Sequence, residues 1–216
     1  MKIFKDIEQG SEDWHRIKWG KIGGTRASGL FVKSDNLLLE LLSEITEEFQ
    51  LDDDGFISPA MLRGQDLEPL ALSEASEYIG INFESVGWLE REDNPLLGIS
   101  PDGLSECERF SIEIKCPESK KHIKTILLND VPDDNIDQCV HYFTVNDKLE
   151  AHYFVSFRPE AIKKIFVKKL TRESFVNIGT KAKPIMKSIN EVVAMSKLEA
   201  DLLQKEINKK IEILQF

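Results

Sequence analysis

The chain has 216 residues, is 41% hydrophobic and carries a formal net charge of −10. That length and apolar fraction allow one globular unit with a sizeable core and exclude a disordered chain. No apolar run reaches the roughly 18 residues of a membrane span, so no membrane association is expected. The N-terminal stretch MKIFKDIEQGSEDWH lacks the apolar core and small-residue cleavage site of a secretory signal, which points to the cytoplasm. Cys107, Cys116 and Cys139 are odd in number and far apart, with no CxxC pair. They read as reduced thiols rather than a disulfide framework or a zinc or iron–sulfur site. The acidic balance argues against phosphate contacts spread over the whole surface. Carboxylates that hold a metal would count towards that total, however, and a local basic groove can coexist with an acidic exterior.

Helices are predicted first. Ser11 precedes Trp14, Ile17 and Lys18 at helical spacing, and a short helix is expected near Thr25. Residues 36–49 carry Leu38, Leu41, Leu42, Ile45 and Phe49 on one face. Asp52-Asp53-Asp54-Gly55 marks a turn. A further helix is predicted over Ser58–Tyr78, with Met61, Leu67, Leu70, Ala71 and Ala75 on its buried side. Strands are predicted at Asn82–Glu90, Leu96–Ser100 and Phe110–Cys116, with a turn at Asn94-Pro95 and a bend at Pro101-Asp102-Gly103. Helices at 118–128 and 133–145 and strands at 150–157 and 164–170 follow. The Lys/Glu-rich tail, 172–214, reads as one or two long helices. With no repeat and no linker, the expectation is a single α/β unit over 1–216: a mixed sheet flanked by helices, with a core over about 9–170.

The chemical signal lies in Ser100-Pro101-Asp102-Gly103-Leu104 followed by Ile112-Glu113-Ile114-Lys115-Cys116-Pro117. Side chains alternate along a strand, so Glu113 and Lys115 share a face while Ile112, Ile114 and Cys116 face the packing. A hairpin can bring Asp102 beside them. Two carboxylates next to a backbone carbonyl suit a hard cation such as Mg²⁺, and buried charges require pairing or a metal. The bland alternative is that Glu113 and Lys115 form an ordinary ion pair on a solvated face. Lys115 can orient or deprotonate a water or stabilise phosphate charge. Carboxylate neighbours favour its charged form, and with it the positioning role.

Asp102 with Glu113-Ile114-Lys115 resembles the PD-(D/E)XK nuclease signature. The surrounding motifs resemble the lambda exonuclease family, also called YqaJ-like viral recombinases. They are Gln9-Gly10-Ser11 with Trp14-His15, Gly20 and Ala27-Ser28; Arg63-Gly64-Gln65 with Glu68; the two central motifs; and Gln138 with Tyr142. Together they span roughly 9–145. The resemblance implies a restriction-endonuclease-like core with N-terminal helices and a long C-terminal helix. It implies Asp102, Glu113, Glu68 and the Ile114 carbonyl as metal ligands, Lys115 as the catalytic lysine, and Gln138 near the site. It implies two Mg²⁺ ions, with Mn²⁺ able to substitute. Ser28 and Ser100 would line a pocket for the 5′-phosphate of a DNA end. The family's pocket arginine falls nearest Lys18, with Arg16 two residues away, and Arg26 in a short insertion is a third candidate. The implied activity is 5′→3′ exonuclease digestion of linear double-stranded DNA in phage-type recombination. The implied partners are DNA ends, a single-strand annealing protein and two further copies in a ring-shaped homotrimer. The alternatives are an endonuclease of the same fold, a non-catalytic DNA-end-binding module, and a structural protein.

Overall fold

A computed structural model describes residues 1–30, 35–51 and 58–214. The turn predicted at Asp52–Gly55 lies outside them. The chain opens with a short strand β1 (Lys2–Phe4), then α1 (Glu12–Lys18), a 3₁₀ helix (Gly24–Leu30), α2 (Asp35–Thr46) and α3 (Pro59–Ile79). The Ser11 hydroxyl accepts the Trp14 N–H and the Ser58 hydroxyl accepts the Met61 N–H, each capping a helix start as the sequence predicts. Strands β2 (Trp88–Glu90), β3 (Gly98–Ile99), β4 (Gly103–Leu104) and β5 (Phe110–Lys115) come next, then α4 (Ser119–Leu128), α5 (Asp133–Val145), β6 (Ala151–Phe157) and β7 (Ile165–Leu170). The C-terminal part holds β8 (Phe175–Asn177), β9 (Met186–Ser188) and α6 (Ile189–Leu214). No described helix is long and apolar enough to cross a membrane.

The described strands form three sheets, ordered β1-β2-β3, β4-β5-β6-β7 and β8-β9. Among the described strand pairs β5–β6 alone is parallel, and α4 and α5 make the crossover between those strands, so the fold is mixed α/β. Both faces of the four-stranded sheet are covered. Tyr153, Val155, Phe157, Ile112 and Ile114 pack with Ala71 and Ala75 of α3, whereas Phe154 joins the core built from α2, α5 and α6.

Three differences from the expected layout stand out. The 82–90 strand contracts to β2 and a single bridge between Glu84 and Leu104. The tail forms the β8–β9 hairpin before one helix, α6. On α3, Ala71 and Ala75 are fully buried, but Met61 and Leu70 are 55% and 46% exposed. Adjacent residues on a helix are about 100° apart, so the narrow Ala71–Ala75 stripe that meets the sheet leaves Leu70 turned outward.

Candidate active site

Strands β4 and β5 are antiparallel, with Gly103 opposite Ile112 and Leu104 opposite Ser111. That register sets Asp102, one residue before β4, beside Glu113. Gly103 permits the close approach: a Cβ there would stand 2.8 Å from both Ile112 and Phe83 and 2.9 Å from Leu72. Asp102 Oδ2 accepts the Ile114 N–H at 2.5 Å. A strand residue's N–H and C=O point to the same edge, so the Ile114 carbonyl also faces the Asp102 side.

Glu113 is only 2% exposed, which rules out an ion pair on a solvated face. Its Oε1 accepts from Lys115 Nζ at 2.5 Å, and its Oε2 accepts from the Tyr142 hydroxyl. Burial, then the charges of Glu113 and Glu68, push the Asp102 carboxyl well above the usual carboxylate range; the Ile114 N–H and Lys115 oppose this only in part. Glu68 is raised by burial and by the Glu113 charge. Burial pulls Lys115 down, but Glu113 and Asp102 outweigh it, so its ammonium is held more firmly than usual.

Glu68 and the other expected residues come from flanking helices. Glu68 lies on the Ala71–Ala75 side of α3, so it reaches the cluster from the opposite side of the sheet from Tyr142. Arg63, five residues earlier, donates to the Cys116 carbonyl at 3.1 Å and ties α3 to the end of β5. Gln138 lies on α5 one turn before Tyr142, and its Cγ would stand 2.8 Å from a Cβ at Gly24 of the 3₁₀ helix. Among the described residues no three His, Cys, Asp or Glu side chains stand at metal-holding distance. Ion pairing and hydrogen bonds currently occupy the oxygens of Glu113.

A second cluster adjoins this one. Ser100 Oγ donates to the Gly87 carbonyl at 2.7 Å and accepts the Trp14 indole N–H at 2.6 Å. Lys18 Nζ lies 3.3 Å from the centre of the Trp14 ring and on the wall of a cavity of about 210 Å³. Burial and the nearby Arg26 lower the Lys18 pKa to about 8. Arg26 is committed to Glu44 through both terminal nitrogens, so it is not a spare cation. Arg16 pairs with Glu12 on the outside of α1. Ser28 is exposed on the 3₁₀ helix and makes no described hydrogen bond to this cluster. The structure thus joins Lys18 to Ser100 through Trp14 and leaves Arg16 and Ser28 outside that contact. The indole's linking role was not predicted, because residues 14 and 100 are brought together only by the tertiary fold.

A conserved-domain profile for the YqaJ-like viral recombinase domain matches residues 13–149, which hold every motif described above except the first three residues of the N-terminal one. The chain belongs to the YqaJ-like viral recombinase family. Comparison with curated proteins finds no match. Among solved structures the fold is similar to an alkaline exonuclease from Laribacter hongkongensis, at 24% identity and a TM-score of 0.74, over 95% of this chain and 96% of that one. The same enzyme in complex with dAMP aligns with a TM-score of 0.73. A phage-related exonuclease from Haemophilus somnus 129PT aligns at 14% identity and a TM-score of 0.55, over 93% and 99% of the two chains.

Proposed function

We propose that the chain is a divalent-metal-dependent exodeoxyribonuclease that degrades linear double-stranded DNA from the 5′ end. The observation that carries this reading is the buried Glu113 carboxylate, set beside Asp102 and held by Lys115 within the electrostatic reach of Glu68. Pure end-binding does not call for carboxylates gathered where phosphate must lie. The alkaline exonuclease fold and the recombinase family support the same class.

The donor set suits Mg²⁺. Its members are all oxygens, and three carboxylates face a single ammonium, which leaves negative charge for a hard cation to neutralise. Asp102, Glu113, the Ile114 carbonyl and Glu68 would hold two ions, with Mn²⁺ able to substitute. When bound, the ions supply Lewis-acid polarisation of the phosphodiester and a more acidic water. Lys115, kept as an ammonium by its carboxylate neighbours, orients the attacking water and offsets charge on the phosphate rather than serving as a base. Gln138 lines the approach from α5. Lys18, Trp14 and Ser100 form the seat for a terminal 5′-phosphate. Arg16 and Ser28 lie at its margin, where a DNA strand could draw them in.

The wider setting of this proposal is phage-type recombination in the bacterial cytoplasm. The protein works as a single unit over 1–216, assembled as a ring-shaped homotrimer beside a single-strand annealing protein. A ring confines the positive potential to its channel, which reconciles a net charge of −10 with DNA binding. A monomer in sedimentation at micromolar concentration would count against the ring.

The activity is tested on a linear duplex labelled at either end and carrying a 5′-phosphate or 5′-hydroxyl, with Mg²⁺ or EDTA. Metal-dependent loss of the 5′ label, faster with phosphate and absent in Glu113→Gln and Lys115→Ala, is expected. Cutting of closed circles would point instead to an endonuclease, and end binding without degradation to a binding module.

A further inference from the structure

Tyr142 is 1% exposed, and its ring stacks on His152 with centroids 4.1 Å apart and planes at 19°. The His152 Nδ1 is in turn hydrogen-bonded to Ser111 Oγ at 2.9 Å. Ser111 lies on β5 two residues before Glu113, so one strand carries both the carboxylate and the group that fixes the ring above it. The phenolic oxygen sits between two acceptors, Glu113 Oε2 and the Ser100 carbonyl, the latter at 3.2 Å. A phenol has one proton to give. Ser100 lies two residues before Asp102, so this hydroxyl spans the two segments that carry the candidate metal ligands.

We propose that Tyr142 is a positioning residue for Glu113: its hydroxyl holds the carboxylate in place and turns to the Ser100 carbonyl when Glu113 takes a cation. The inference rests on the reading of Glu113 as a cation ligand. A buried carboxylate with one oxygen on Lys115 needs a second partner to fix its plane. Tyr142 supplies that partner from α5. The second acceptor matters equally. A cation that captured Oε2 would otherwise strand a buried hydroxyl, at a penalty of about 1–3 kcal/mol. With the Ser100 carbonyl in reach, the proton changes acceptor and no buried polar group is left unpaired.

The test is calorimetric titration of the full chain with Mn²⁺, comparing wild type with Tyr142→Phe, which keeps the ring and removes only the hydroxyl. Loss of an outer partner of a metal ligand weakens binding by about 10–100-fold, and a loss of that size is expected. In DNA digestion kcat should fall while KM for the duplex stays the same. Ser111→Ala disturbs the same stack but leaves the hydroxyl, and its Mn²⁺ affinity should remain near that of wild type. Equal affinity in wild type and Tyr142→Phe, or equal weakening in both variants, would overturn the proposal. A second measurement needs no variant that removes the hydroxyl. In wild-type protein carrying ¹³Cζ-tyrosine, saturating Mg²⁺ should shift the Tyr142 resonance, picked out from the three tyrosines by Tyr78→Phe and Tyr153→Phe. An unmoved resonance would refute the change of acceptor even if Tyr142→Phe did not fold. Failure of wild type to degrade DNA would defeat the nuclease reading alone, because the cation titrations still decide the role of Tyr142.

Discussion

Asp102 and Glu113 place two carboxylates where little water reaches them, and for Asp102 that burial, followed by the repulsion of Glu113, is a standing load on the folded state. Asparagine at 102 keeps an oxygen for the Ile114 N–H and removes the charge. Asp102→Asn should therefore raise the stability of the protein at neutral pH while abolishing nuclease activity; an unchanged or lower denaturation midpoint would contradict the electrostatic account. Because the folded Asp102 pKa is raised, its penalty is relieved as pH falls. The stability gap between variant and wild type should narrow towards acid. The buried histidines act in the opposite sense. Burial lowers His141 to about 4 and His152 to about 3. The unfolded chain thus takes up their protons first, and stability is lost as pH drops below about 6.5, by roughly 1.4 kcal/mol per unit for each group. Removing one of them in His141→Gln should flatten the urea-derived stability profile between pH 6.5 and 4 by one proton. Lys18 gives a third pH signature. Its lowered pKa of about 8 means that the preference for 5′-phosphate over 5′-hydroxyl ends should decline as pH rises through that value. Lys18→Arg should hold the preference constant; competition digests at pH 7 and pH 9 decide this. Glu113 and Lys115 were legible as a pair because strand alternation assigns faces without tertiary information, and Asp102 followed from the short hairpin expected between the two segments. The bond from Tyr142 to Glu113, and the Glu44 clamp that disqualifies Arg26, join residues 29 and 18 positions apart. No local periodicity encodes such pairs.

Among the elements, long periodic segments were the readable ones. The bounds of α5 match the expected 133–145, and those of β6 and β7 differ from expectation by one residue each. What escaped was short or set by its partner. β1 has three residues and exists by pairing with β2. The β8–β9 hairpin spans 175–188, where Gly179 and Pro184 are breakers that the helical reading of the whole tail passed over. The outward turn of Leu70 reflects how little of α3 the sheet can cover, a fact about packing rather than about α3. The β4–β5 hairpin carries the sharpest prediction at this scale. A methyl group at 103 would press on Ile112, Phe83 and Leu72 at once, so Gly103→Ala should destabilise by about 1–3 kcal/mol. It should also reduce activity by displacing Asp102. A chemical-denaturation midpoint equal to that of wild type would show that the three neighbours yield freely.

Across the whole molecule, the parallel pairing of β5 with β6 has a consequence for the order in which the protein is built. Glu113 pairs in register with Phe154, 41 positions along the chain, and the intervening crossover carries both α4 and α5. Parallel strands cannot zip from a tight turn; the loop-closure entropy of the whole crossover must be met before the first ladder bond forms. Tyr142 travels within that crossover. Asp102 and Glu113 can meet early through the local β4–β5 hairpin, but the hydroxyl that orients Glu113 arrives only when the long-range step is complete. A nascent chain released before residue 142 would hold its acidic residues together yet lack the strand and the phenol that organise them. On refolding, catalytic competence should therefore appear with the slowest structural phase and not with the first burst of secondary structure.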